Sequence, residues 1–250
     1  MKIVTEEIYF SNLGEKRRID YYTPNSKVEG IIYFHDGQNM LKDEYSSLGR
    51  SWRLEEFIDN NPKYDKYAVV CIWHGKKRFE EYTIWDFSLK ALDKNYNNNT
   101  ETFPIGELYM KDIIDNVIPY IDDKVKYYGN NRVLCGSSMG GLISLAIALS
   151  YPNVFRNIAA ISNAIWATNT DEFFYDMENK PFYINKIFMS CGTNEAHGDI
   201  TDYDYSCNND RLFEILKNKN VNCDYRKIEG GKHNEEYWEK LLPDIFQLLS

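Results

Sequence analysis

Residues 132–148 read RVLCGSSMGGLISLAIA. An apolar run of strand type gives way to glycine and serine, then to an apolar run of helix type. Gly136-Ser137-Ser138-Met139-Gly140 has the G-x-S-x-G spacing in the strand–turn–helix setting of a nucleophile elbow. A turn this sharp forces its central residue into a strained conformation, and glycine on either side removes the Cβ atoms that would collide. The Ser138 hydroxyl is thereby presented above a sheet edge, close to a helix N-terminus. The Met139 amide can then face a developing oxyanion. Ser137 cannot take the central place, because Cys135 stands where its first glycine would be. The same letters also suit a helix N-cap serine after a glycine turn. The apolar flanks, Gly141 and the position midway along an α/β pattern favour the nucleophile.

A serine hydroxyl needs a base to take its proton. The four histidines are His35, His74, His197 and His233, and only the last two follow Ser138. In this fold the chain order is serine, acid, histidine. His233 lies in EGGKHNEEYWEKLLP, between the last strand-like run and the last helix-like run, where a glycine pair lets a loop swing over the sheet edge. It is the expected base. The acid that orients it should follow the strand-like IFMSCG, in TNEAHGDITDYD. Glu195 comes soonest after that strand and is the expected acid; Asp199, Asp202 and Asp204 are the alternatives, or a solvated acidic loop. Their spacing matches no EF-hand. A second oxyanion donor should come from the loop FHDGQN after the third strand. Gly37 permits close backbone approach there, leaving the Gln38 amide as donor. His35 is expected to support this loop. His74 either lines the pocket or merely satisfies its own loop.

Those residues need a scaffold. Strands are expected at Ile8–Phe10, Arg18–Tyr22, Ile31–Phe34, Tyr67–Trp73, Arg132–Cys135, Ile158–Ile161, Ile187–Ser190 and Cys223–Ile228. The first two alternate apolar with polar, as an antiparallel edge does. The later ones are more continuously apolar, as strands buried on both faces must be. SWRLEEFIDNN, ELYMKDIIDNVIPYIDDKV, RLFEILKNKN and EEYWEKLLPDIFQLL have helical periods, with Pro119 a kink or boundary. The alternation implies α/β: a single domain over residues 1–250, with a mostly parallel twisted sheet, helices on both faces and an antiparallel N-terminal edge. Residues 92–106 read as an exposed irregular loop, and residues 163–184 as a small lid.

Composition narrows the function. The 250 residues carry a net charge of -9, against a general nucleic-acid binder. Lys76, Lys77 and Arg78 read as a solvated loop. No segment approaches the roughly 18 apolar residues of a membrane span. The N-terminus lacks a signal-peptide run. The five cysteines include no CxxC pair, and Cys71, Cys135 and Cys191 sit in apolar runs. A cytoplasmic setting is expected.

YFHDGQNM, GKKRFEEYTIWDF, GSSMGGLISL, CGTNE and GGKHNEEYW, taken in order, resemble the successive blocks of the putative-esterase family of α/β hydrolases. That family includes esterase D and the enterochelin, feruloyl and acetyl-xylan esterases. The resemblance runs from about residue 5 to the C-terminus. It implies Ser138, Glu195 and His233 as the catalytic set and the Gln38 and Met139 amides as the oxyanion hole. It also implies Trp166, in SNAIWA, as an aromatic near the substrate. The implied reaction is hydrolysis of a small or medium-sized ester through an acyl-enzyme. Thioester cleavage, as of S-formylglutathione, and deacylation of acylated sugars are the alternatives; a non-catalytic binding scaffold is the alternative of another class. The expected partner is a small-molecule ester, with no cofactor, metal, nucleic acid or membrane. Monomer and homo-oligomer are both left open.

Overall fold

The computed structural model describes residues 2–96 and 102–250. The eight strands are β1 (Ile3–Phe10), β2 (Glu15–Tyr22), β3 (Gly30–Phe34), β4 (Tyr67–Ile72), β5 (Arg132–Ser137), β6 (Asn157–Ile161), β7 (Lys186–Gly192) and β8 (Cys223–Ile228). They form one sheet in the order β1-β2-β4-β3-β5-β6-β7-β8. β1 with β2 and β2 with β4 are antiparallel; every other neighbouring pair is parallel. This is the expected α/β architecture with its antiparallel N-terminal edge.

Alternation along the central strands feeds two cores. Ile32, Phe34, Val133, Cys135, Ala159 and Ile161 pack on one face, with Leu54, Ile58, Trp238 and Phe246. Ile31, Tyr33, Leu134, Ile158 and Ala160 pack on the other, with Tyr109, Leu142, Phe173 and Leu212. Both faces are dry, which is why these strands read as continuous apolar runs. The helix Met139–Ser150 is buried at every residue from Met139 to Leu149. A helix apolar all round belongs inside a core, and this one holds the serine elbow against the sheet. Among the described residues, no helix is long and apolar enough to cross a membrane.

The structure departs from expectation in two places. Residues 92–96 belong to a helix, Leu89–Tyr96, rather than to a loop; residues 97–101 lie outside the described residues. Pro119 marks a boundary, as expected, at the start of the helix Ile118–Val125. It follows a π-turn at Ile113–Val117, whose wider winding accommodates a ring that would press on the preceding turn. The helix expected at RLFEILKNKN starts earlier, at Asp202, because Thr201 and Asp204 form a capping box.

Asp112, fully buried, ties the β1–β2 turn to the helix before the π-turn. Its carboxylate accepts from the Asn12 amide at 3.0 Å, the Leu13 amide at 3.0 Å and the side chains of Asn12 and Asn116 at 2.9 and 2.7 Å. Replacing it orphans several donors at once, each costing about 1–3 kcal/mol if it stays dry. Asp112→Ala should therefore lower unfolding free energy by about 3 kcal/mol, measured as a drop in the urea midpoint at unchanged slope. A midpoint equal to that of the parent protein would show that the turn does not depend on this carboxylate.

Candidate active site

Ser138 follows β5 directly, with φ 58° and ψ −123°, a conformation that residues with side chains rarely adopt. Tight surroundings enforce it. The Ser138 amide donates to the Ile161 carbonyl at 2.8 Å, and the Ala164 amide donates back to the Ser138 carbonyl at 3.2 Å. A Cβ on Gly136 would stand 2.2 Å from the Gly140 carbonyl oxygen. Gly136 is thus dictated by backbone contact across the elbow. Met139 is the first residue of the following helix, and first-turn amides have no partner within their own helix.

Glu195 follows β7 and is 1% exposed. Its carboxylate accepts from the Ser162 hydroxyl at 2.5 Å and from the Gly192 amide. Its other oxygen meets Nδ1 of His233 at 3.1 Å. Ser162 is fixed in turn by the Trp238 indole N–H at 3.1 Å. The two loops that bring acid and imidazole together are zipped by backbone: the Asn194 amide donates to the Gly231 carbonyl at 2.9 Å, and the Thr193 amide to the Ile228 carbonyl at 3.0 Å. A Cβ on Gly192 would lie 2.2 Å from the Gly231 oxygen, so the glycines of CGTNE and EGGKH allow this approach. The other acid candidates are occupied elsewhere. Asp204 caps its helix and pairs with Lys90 at 2.6 Å, Asp202 accepts from the Ala196 amide at 2.8 Å, and Asp199 is exposed.

Burial pushes the His233 imidazole below its ordinary value, against the opposing pull of the Glu195 carboxylate. Against an ionised Glu195 carboxylate, Nδ1 of the neutral ring is the donor. Nε2 is left as the basic nitrogen.

The Gln38 loop lies against the elbow. The His35 amide donates to the Cys135 carbonyl at 2.9 Å, and a Cβ on Gly140 would lie 3.2 Å from Asp36 Oδ2. Gln38 occupies a 3₁₀ turn, Gly37–Asn39, entered through Asp36 at φ 54°. Arg78 clamps Asp36 with two hydrogen bonds, at 2.6 and 2.7 Å. Arg78 is thus part of a largely buried ion pair, not of a solvated basic loop, because the Asp36 carboxylate needs a fixed partner away from water. Asn39 donates to Glu235 at 3.1 Å and links this loop to the one bearing His233. Burial pushes Glu235 up to about 6. His35 accompanies the loop without facing the serine. Its Nδ1 meets the Tyr109 hydroxyl at 2.8 Å, and burial pushes it down to about 4. His74 bonds the Gly75 carbonyl at 2.6 Å.

Trp166 sits in a 3₁₀ turn, Ile165–Ala167, and borders a cavity of about 660 Å³ shared with Phe87, Lys90, Thr168, Tyr203 and Asp204. The rest of residues 163–184 includes the helix Thr170–Asn179, whose Phe173, Phe174 and Met177 enter the core. Two neighbours of the histidine had no sequence signal as such. The Tyr205 hydroxyl lies 3.3 Å from His233 Nε2, and the exposed His197 ring stacks on His233 at 5.2 Å. Tyr205 would have become a candidate had the Thr201–Asp204 capping box been read, since that places its helix beside the acid loop.

The model of the family described as "Putative esterase" matches residues 11–249. The chain is 25% identical over 247 residues to the Bacillus subtilis (strain 168) protein YjcH, covering 96% of this chain and 94% of that one. An IroE-like serine hydrolase from Shewanella oneidensis superposes with a TM-score of 0.77 at 18% identity, over 99% of this chain and 80% of its own. The siderophore hydrolase EstA from Aspergillus nidulans superposes at 0.74 with 16% identity, over 99% and 95%. At these identities the likeness of the structures is one of fold. With nearly its whole length matched by the family model, the chain belongs to the Putative esterase family and carries an α/β-hydrolase fold.

Proposed function

We propose that the protein is a serine carboxylesterase acting on a small or medium-sized ester. In this reading Ser138 Oγ attacks the ester carbonyl while its proton is drawn to His233. The Gln38 and Met139 amides stabilise the tetrahedral oxyanion. The alcohol leaves with a proton from His233, and water then resolves the acyl-enzyme by the same steps. Glu195 holds the imidazole in one tautomer and stabilises its charged form. The observation that carries the reading is the buried Glu195–His233 pair, at 3.1 Å, on the same sheet edge as a serine held at positive φ.

Trp166 would form a wall of the substrate pocket, and residues 163–184 would cover it as a small lid on a chain that acts as one unit. His74 would either line the pocket or satisfy its own loop, where its Nδ1 meets the Gly75 carbonyl. No cofactor is required by this chemistry. The free thiols of all five cysteines suit a reducing cytoplasm.

A panel of p-nitrophenyl esters graded by acyl length tests the reading. Ser138→Ala should abolish turnover, and Glu195→Gln should lower kcat by about 10²–10⁴-fold through loss of the correct imidazole tautomer. Equal turnover by Ser138→Ala and the parent protein would refute the nucleophile.

The pH profile gives a second test. His233 works as a base only when neutral, and burial lowers its affinity for a proton. Activity should therefore persist to lower pH than an ordinary imidazole allows, with the acid limb of kcat/KM centred below about 6.5. Glu195 opposes that lowering, so the limb should shift to still lower pH in Glu195→Gln. A limb centred above 6.5, or a shift upward in the variant, would contradict the assignment of His233 as base.

A further inference from the structure

The turn that presents Gln38 also walls a second cavity, of about 370 Å³, bounded by Arg18, Leu41, Lys42, Tyr45, Glu55 and Trp73. Strand register builds its floor. Asp20 stands opposite Thr5 in β1 and opposite Cys71 in β4, and the Trp73 amide donates to the Arg18 carbonyl at 3.1 Å. Arg18, Asp20 and Trp73 therefore share one face. Asp20 is 2% exposed, and its carboxylate accepts from the Thr5 hydroxyl at 2.5 Å, the Trp73 indole N–H at 2.6 Å and Nε of Arg18 at 3.0 Å. A buried carboxylate needs such donors, and in meeting that need it fixes the indole and the guanidinium. Cζ of Arg18 lies over the Trp73 ring, 4.0 Å from its centroid, and over the Tyr45 ring at 5.0 Å. Among the described residues, the guanidinium spends only its Nε–H on a protein acceptor, and the side chain remains 33% exposed. Its two terminal nitrogens are thus held in place, reachable and unused. Gln38 lines the same cavity, with its side-chain amide nitrogen and oxygen buried and without a partner.

We propose that this cavity binds a small organic monocarboxylate, held by the terminal nitrogens of Arg18 with its apolar body against Trp73 and Leu41. The parallel N–H groups of a guanidinium match the two oxygens of one carboxylate. Asp20 and the two rings have already ordered the arginine, so little side-chain freedom is lost on binding. Lys42 adds a second positive charge, while Glu55 carries a negative one. A dianion such as phosphate or a dicarboxylate is disfavoured by Glu55, which leaves the single carboxylate as the best match. Ester hydrolysis releases acids of this class. The site would hold a product of the reaction proposed above; that link rests on the esterase reading, whereas binding itself does not.

Titration calorimetry with sodium benzoate on the full chain tests this, after Ser138 has been capped with a fluorophosphonate to exclude binding at the serine. One saturable site is expected. Benzamide, of the same shape but uncharged, should bind at least about 10-fold more weakly. Arg18→Gln should weaken benzoate by about 10–100-fold, the scale of a charge-assisted hydrogen bond, with circular dichroism unchanged. Arg18→Lys keeps a charge beside Asp20 in case the first variant does not fold. It should also weaken benzoate, because an ammonium lacks the paired N–H groups. Absence of saturable binding, benzamide binding as tightly as benzoate, or parental affinity in the arginine variants overturns the site. Failure of Ser138 to take the label would instead refute the nucleophile, and titrations of the uncapped chain and its Arg18 variants would still decide the cavity.

Discussion

The site depends on keeping one carboxylate out of water. Glu195 is almost wholly enclosed, and an unpaired charge in such a place costs several kcal/mol. The fold meets that cost with oriented donors: the Ser162 hydroxyl, the Gly192 amide and the His233 imidazole. Each comes from a different place on the chain, after β6, at the end of β7 and after β8. Satisfying the carboxylate therefore brings three loops to one point on the sheet edge. The imidazole is oriented as a consequence, and its outward nitrogen has one direction in which to act.

The elbow answers a different constraint. Positive φ at a serine stores about 1–3 kcal/mol of strain, and it persists only because packing leaves no alternative. The helix behind Ser138 is buried throughout, and Gly136 and Gly140 already touch. The Asp36–Arg78 clamp repeats this logic one loop away. A second left-handed residue, Asp36, starts the turn that presents Gln38, and two short hydrogen bonds from Arg78 hold it. Strain sits where chemistry is to occur, and ion pairs and dry packing around it supply the compensation.

Much of this was legible in the sequence. Period-two and continuous apolar runs located all eight strands, because burial on one or both faces leaves a direct trace in residue type. Ser138 was readable because its spacing encodes backbone collisions that only glycine avoids. Glu195 and His233 were readable because each follows a strand and lies beside glycines that let their loops touch. The contact of Tyr205 with His233 was not, since it comes from a helix face that meets the histidine only in three dimensions. Arg78 was misread for the same reason: a basic run looks solvated until its carboxylate partner, 42 residues earlier in the chain, is seen beside it. The start of the Asp202–Asn218 helix was missed because its acidic first turn reads as a loop, although those acids satisfy and charge-complement a helix N-terminus.

The most direct measurement is to map the adduct formed with a fluorophosphonate, by mass spectrometry of the digested protein. The account requires one modified residue, Ser138, and labelling that slows sharply when His233 is replaced by alanine. An adduct on any other side chain, or labelling indifferent to His233, would contradict it.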